Sequence, residues 1–157
     1  MIKIKVLFVC TGNTCRSIMA EALFKKILEE AGEKYKYIET MSAGTAAIDG
    51  GLVSGNTIRV MKEEDIDISK YKSKRLTYSM IKEADLIFTM TRYHKDFVLS
   101  MAPEAKEKVH MLKGFAGDND KTDILDPFGY SDEIYRKSSK EIKTALEKAF
   151  DKIKKGN

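Results

Sequence analysis

The segment VLFVCTGNTCRS, Val6 to Ser17, constrains this chain more than any other. Residues 3–9 alternate and then run apolar with β-branched types, the pattern of a strand buried in a parallel sheet. From residue 17 to residue 31, Met19, Ala22, Leu23, the stem of Lys26 and Ile27 recur at helical spacing, and Gly32 stops the run. Between strand and helix lies a short polar loop. In open α/β sheets, ligands sit outside the carboxyl ends of the strands, so this first strand-to-helix loop is the favoured place for chemistry.

The rest of the chain repeats the alternation. Strands are expected at 37–42, 85–90 and 108–112, and helices at 56–64, from Thr77 as a cap through Ala84, and at 131–155. Strands separated by helices of this length favour right-handed crossovers and a parallel sheet covered on both faces. The expected class is α/β: a three-layer, doubly wound domain with a central four-stranded parallel sheet. No repeat or low-complexity linker divides residues 1–157, so one domain is expected.

The loop's residue types define its chemistry. Successive amides of a tight loop can form an anion cradle, and the following helix adds the positive end of its dipole. Gly12 permits a dihedral that other residues resist, and Asn13 tolerates a left-handed one better than most. The loop lacks the Lys with which a nucleotide-binding P-loop ends, so a nucleoside triphosphate fits poorly. It ends instead in Arg16, whose planar guanidinium can hold two phosphoryl oxygens at once. Cys10, at the strand end, lies beneath the cradle, where amides and the helix end favour a thiolate. Ser17 adds a hydroxyl donor to that sulfur. The combination suits capture of a phosphoryl group and attack upon it.

Cleaving the bond to phosphorus also needs a proton donor for the leaving group. The stretch DILDPFGYSDE, 123–133, lies between the last expected strand and the last helix. Asp126 is its candidate acid, because Pro127 stiffens the backbone after it, Phe128 can wall a pocket and Gly129 frees the turn. Asp123 and Asp132 read as helix caps or surface charges. His94 and His110 read as surface or boundary residues without a catalytic neighbour.

Composition excludes several classes. With 28 basic and 24 acidic residues the net charge of +4 is too mild and too evenly spread to argue for nucleic acid. No run of eighteen apolar residues is present and no cleavage site follows the N-terminal apolar stretch, so neither a membrane nor a secretory signal is expected. Two cysteines without an export signal point to thiols in a reducing, cytoplasmic setting. A four-ligand zinc site would need both cysteines and both histidines over long reaches, so no metal is expected.

With these residues in place, the chain resembles the low-molecular-weight protein tyrosine phosphatase family over almost its whole length. The likeness rests on VLFVCTGNTCRS with MAEALF after it, SAGT at 42–45, DID at 65–67, ADLIFTM at 84–90 and DPFG at 126–129. It implies the flavodoxin-like, phosphotyrosine phosphatase I type of sheet. It also implies Cys10 as nucleophile through a phosphocysteine, Arg16 as phosphate clamp, and Asp126 as general acid and then base. Thr11, Gly12, Asn13, Thr14, Cys15, Arg16 and Ser17 would bind phosphate, with Asn13, Ser17 and Ser42 as loop supports. Cys15 would be a redox partner that captures an oxidised Cys10. The partners implied are phosphorylated proteins, with inorganic phosphate as product, no organic cofactor and a monomeric chain.

Thr14 and the Phe128-Gly129 pair make this version similar to the bacterial protein arginine phosphatase branch. There a threonine at the Thr14 position favours phosphoarginine, since a hydroxyl can bond a guanidinium while an apolar wall suits a phenyl ring. Phosphotyrosine is the alternative substrate. Thioredoxin-coupled arsenate reductases share the fold but need further redox cysteines, which the chain lacks, and a silent phospho-residue binding module would need neither Cys10 nor Asp126. Three positions depart from the family pattern: Ile18 replaces a proline, Tyr71 a histidine that braces the asparagine, and Asp65 a helix-ending glycine.

Overall fold

A computed structural model describes residues 2–118 and 122–156. Its centre is a parallel sheet of four strands in the order β2-β1-β3-β4. The strands are β1 (Ile4–Cys10), β2 (Ile38–Gly44), β3 (Leu86–Thr89) and β4 (Val109–Met111). Helix α1 (Arg16–Ala31) follows β1, α2 (Gly55–Glu63) and α3 (Tyr78–Glu83) follow β2, and α4 (Arg92–Met101) follows β3. A single turn, α5 (Leu112–Phe115), and the long α6 (Asp132–Lys155) complete the chain.

Strand period two splits β1 between two cores. Val6, Phe8 and Cys10 face one way, with Met19, Leu23 and Phe24 of α1 and Ile142, Leu146 and Phe150 of α6. Leu7 and Val9 face the other, with Ile81 of α3 and Val98 of α4. The sheet is thus covered on both faces, in the expected three layers. Phe24 sits edge-on to Phe8 and to Phe150, with ring centroids 5.8 and 6.1 Å apart, and ties α1 to both the sheet and α6.

The helix stops follow their residue chemistry. Gly32 closes α1 at φ 110°. Thr77 caps α3, its hydroxyl accepting from Met80 N at 3.2 Å. Asp65 takes φ 60° just past α2, the left-handed position that a glycine would fill without strain. Helix α4 was not expected from the sequence, although Thr91 caps it by accepting from His94 N. Apart from Tyr93, its apolar residues Phe97, Val98, Leu99 and Met101 crowd into its C-terminal half, which leaves its first turn without a helical apolar period in the sequence.

Because β2 lies to one side of β1 and β3 to the other, the loops leaving β1 and β3 diverge at their carboxyl ends. That is the switch point at which such sheets bind ligands.

Candidate active site

Cys10 is the last residue of β1, level with Gly44 of β2. The loop of residues 11–15 then turns into α1. The carbonyls of Cys10, Thr11, Asn13 and Thr14 are taken by neighbours on the outside: Thr45 N donates to Cys10 O, Ala46 N to Thr11 O, Ser73 Oγ to Asn13 O, and Ser54 N and Thr57 Oγ1 to Thr14 O. None of the amide N–H groups from Thr11 to Arg16 finds an acceptor among the described residues. Cys15, the N-cap of α1, makes no side-chain cap bond either. A row of unspent donors at a helix N-terminus is the arrangement that holds an anion.

Of the two loop residues able to take an unusual dihedral, Gly12 does not use that freedom and Asn13 does. The left-handed residue is Asn13, at φ 53°, while a Cβ on Gly12 would meet only Thr14 at an ordinary 3.6 Å. Asn13 is held by its own side chain. Its Oδ1 accepts from Lys74 N at 2.8 Å, and its Nδ2 donates to Ser17 Oγ at 2.7 Å and to Ser42 Oγ at 3.0 Å. Local hydrogen bonds of this kind are what make a left-handed asparagine tolerable. Ser42 in turn donates to Glu21 Oε1 at 2.5 Å, and burial pushes the Glu21 carboxyl above its ordinary range. Tyr71 takes no part in bracing Asn13. Its half-buried phenol is pushed up to about 12, by burial first and by the Glu21 and Glu29 charges second.

The close approach that does demand a glycine lies outside the loop, at Gly44. A Cβ there would stand 2.4 Å from Thr11 O and 2.8 Å from Asn13 N. Sequence reading identified SAGT only as a supporting match. It could not show that β2 packs backbone to backbone against the loop.

The structure brings Cys10, Arg16 and Asp126 to one cavity of about 400 Å³, with Thr11, Gly12, Thr14 and Cys15 also in its wall and Ile48, Leu52 and Phe128 lining it beside them. Cys10 Sγ lies 2.8 Å from Ser17 Oγ. Arg16 is 5 % exposed, so its orientation is set by partners: Nη1 donates to Ile124 O at 2.9 Å, and Nη2 stands 3.4 Å from Asp126 Oδ2. Asp126 keeps half its side chain in solvent, and its Oδ1 accepts from Phe128 N at 3.1 Å in the turn that Pro127 and Gly129 shape. Ile124 N on Met90 O pins this stretch to the end of β3, and Ser138 Oγ on Leu125 O pins it to α6.

Ser42 thus stands behind the loop rather than in the cavity wall. Asp123 caps α4 by accepting from Arg92 N, and Asp132 binds Asn56 and Arg59, so both keep the expected structural roles. Cys15 is a buried free thiol with Tyr135 Oη at 3.3 Å, Thr14 Oγ1 at 3.4 Å and Ser54 Oγ at 3.7 Å around it. His94 contradicts the sequence expectation of a surface or boundary position: it is 1 % exposed and bonds Thr11 Oγ1. No group of three or more His, Cys, Asp or Glu among the described residues could hold a metal ion.

The chain is similar to known protein phosphatases over almost its whole length. A protein-arginine-phosphatase of Bacillus subtilis is 37 % identical over 150 residues, covering 96 % of this chain and 97 % of that protein. A structure of the arginine phosphatase YwlE, a mutant with a phosphorylated active-site serine, superposes with a TM-score of 0.90 at 36 % identity over 97 % of both chains. A low molecular weight protein tyrosine phosphatase from T. tengcongensis gives a TM-score of 0.88 at 38 % identity, covering 96 % of this chain and 99 % of that one. The model of the low molecular weight phosphotyrosine protein phosphatases matches residues 5–157, and the chain belongs to that family.

Proposed function

We propose that this phosphatase hydrolyses phosphoarginine in proteins through a phosphocysteine at Cys10. The observation that carries the reading is the convergence, in one cavity, of a strand-end thiol, unspent loop amides, a buried arginine and a carboxyl group. The Cys10 thiolate attacks phosphorus as the phosphoryl oxygens sit on the loop amides and the Arg16 guanidinium. The P–N bond breaks, and Asp126 delivers its proton to the departing nitrogen. Asp126, now a carboxylate, takes a proton from the water that attacks the phosphocysteine. Inorganic phosphate leaves, and the Ser17 hydroxyl stabilises the sulfur anion that is restored.

Thr14 selects the substrate. Its hydroxyl gives the cavity wall a polar group where a guanidinium lies, and the Asp126 carboxyl group binds the same cation. The names of the relatives support both this reading and a second one: the T. tengcongensis protein is a tyrosine phosphatase, and Ile48, Leu52 and Phe128 offer apolar wall to a phenyl ring. Cys15 serves as redox partner. When an oxidant has made a sulfenic acid of Cys10, the Cys15 thiolate attacks that sulfur and forms a disulfide as hydroxide leaves and is protonated to water. The proteins acted on are phosphorylated substrates in the cytoplasm, and the chain acts as a monomer.

Side-by-side hydrolysis of matched phosphoarginine and phosphotyrosine peptides tests the assignment. Wild type is expected to prefer phosphoarginine, Thr14→Ile to move the kcat/KM ratio toward phosphotyrosine by about 10- to 200-fold, and Cys10→Ser to release no phosphate. Equal preference in wild type and Thr14→Ile removes Thr14 as selector. Turnover by Cys10→Ser removes the covalent mechanism.

A further inference from the structure

His94 is hydrogen-bonded at both ring nitrogens, Nδ1 at 2.9 Å from Thr91 Oγ1 and Nε2 at 2.8 Å from Thr11 Oγ1. Burial first, and the Arg16 charge second, push its pKa down to about 4. At neutral pH the ring is therefore uncharged, with one nitrogen that donates and one that accepts. The hydrogen-bond pattern favours one assignment, the one that spends every hydroxyl hydrogen on the Thr91 side. Thr91 Oγ1 already accepts from His94 N at 3.3 Å as the cap of α4. Its own hydrogen has a single acceptor among the described residues, His94 Nδ1. Nδ1 is then the acceptor, and Nε2–H donates to Thr11 Oγ1. Having accepted that bond, the Thr11 hydroxyl keeps its own hydrogen, which has no acceptor among the described residues, and Thr11 lines the cavity.

We propose that His94 is a positioning residue that fixes the Thr11 hydroxyl as a hydrogen-bond donor to the phosphoryl group, a side-chain addition to the amide cradle. The inference rests on the preceding reading that the cavity receives a phosphoryl group. The sense of the relay matters as much as its presence. With the other tautomer, Thr11 would donate to Nε2 and turn its lone pairs toward phosphoryl oxygens, which repel them. The helix cap at Thr91 sets the sense, and burial, with the Arg16 cation second, holds the ring uncharged across the pH range in which the enzyme would be assayed.

The test combines turnover of a phosphoarginine peptide and of p-nitrophenyl phosphate with calorimetric binding of inorganic phosphate to a Cys10→Ser background. Thr11→Val, which removes the hydroxyl and keeps the shape, is expected to lower kcat/KM by about 10- to 100-fold on both substrates and to weaken phosphate binding to Cys10→Ser by about tenfold. Thr11→Ser restores both to within about threefold of the parent. His94→Ala lowers kcat/KM in the wild-type chain but adds nothing in Thr11→Val, because the two act through one hydroxyl. Should His94→Ala fail to fold, the Thr11→Val and Thr11→Ser pair decides alone, since Thr11 is exposed. An active wild type with unchanged turnover and phosphate affinity in Thr11→Val overturns the inference while leaving the phosphatase reading intact, as does full additivity of the His94 and Thr11 effects. A wild type that neither hydrolyses a phosphoester or phosphoramidate nor binds phosphate overturns the reading and the inference together.

Discussion

Gly44→Ala tests how the loop is held, because one methyl group meets the backbone of two loop residues. Its Cβ would lie 2.4 Å from Thr11 O, about 0.9 Å short of an ordinary carbon–oxygen contact of about 3.3 Å. Asn13 N at 2.8 Å and the Ala47 Cβ at 3.0 Å close the other directions. Retreat is blocked on both sides. Gly44 N donates to Lys74 O and Leu76 N donates to Gly44 O, each at 2.9 Å, while Thr11 O is held by Ala46 N at 2.9 Å. Gly44 is not in the left-handed region, so the cost is steric. Overpacking of this kind costs about 1–3 kcal/mol, which for a chain of this length lowers Tm by about 2–12 °C. The loop must shift by roughly 1 Å, and misplacement on that scale costs about 100-fold in rate. Melting followed by circular dichroism, and kcat/KM on a phosphoarginine peptide, are the assays. Gly12→Ala is the control: within the loop itself, its Cβ makes only a 3.6 Å contact, and Tm is expected within about 2 °C of the parent. A Gly44→Ala protein with parental Tm and kcat/KM within threefold would refute the close-approach argument.

Phe24→Ala removes the ring that joins Phe8 and Phe150 and is expected to cost about 3–5 kcal/mol in urea unfolding; a loss under 1 kcal/mol would show that α1 and α6 do not share that core. His94 gives stability a pH signature: its folded pKa of about 4 is below the ordinary 6.5, so between those values the unfolded chain binds more protons and stability falls as pH falls. His94→Gln, which has no such proton to gain, is expected to lose less stability from pH 6.5 to about 4, and equal slopes in the two proteins would contradict the buried neutral ring.

The strand-loop-helix unit was legible because its signals are local. An apolar β-branched run, a polar loop and a helical period lie within thirty residues, and the structure keeps their borders to within two residues. The pairing of Arg16 with Asp126 was legible as chemistry, since a phosphoryl site needs a proton donor and the Asp-Pro turn stood at the correct sheet edge. What escaped was set by partners distant in sequence. His94 is 83 residues from Thr11 and carries no motif; it becomes a site residue only because β3 lies beside β1. Gly44 looks like any strand-end glycine until the loop is laid against it. Residue type offered both Gly12 and Asn13 for an unusual dihedral, and the Lys74 amide, the Ser17 and Ser42 hydroxyls and the chain path assign it to Asn13.

Those same partners fix the sense of the hydrogen bonds around the proposed nucleophile. The backbone N–H of Lys74 can only donate, so Asn13 must turn its Oδ1 toward it and its Nδ2 toward Ser17 and Ser42. Ser17 Oγ, accepting from Nδ2, is left with its hydrogen for Cys10 Sγ at 2.8 Å. An anion at sulfur needs a donor there and would be repelled by a lone pair. Reversing the amide would have Ser17 donate to Asn13 and present oxygen to the thiolate. A main-chain group sixty-one residues along the chain from Asn13 thereby decides which way a hydroxyl beside Cys10 points. In the proposed tautomer of His94, the Thr91 cap does the same for Thr11 on the opposite side of the loop. The α2–α3 connection with Lys74 and the β3–α4 turn with Thr91, which flank the loop on either side, supply these partners, so the loop's polarity is a property of the fold around β1 and not of the loop sequence alone.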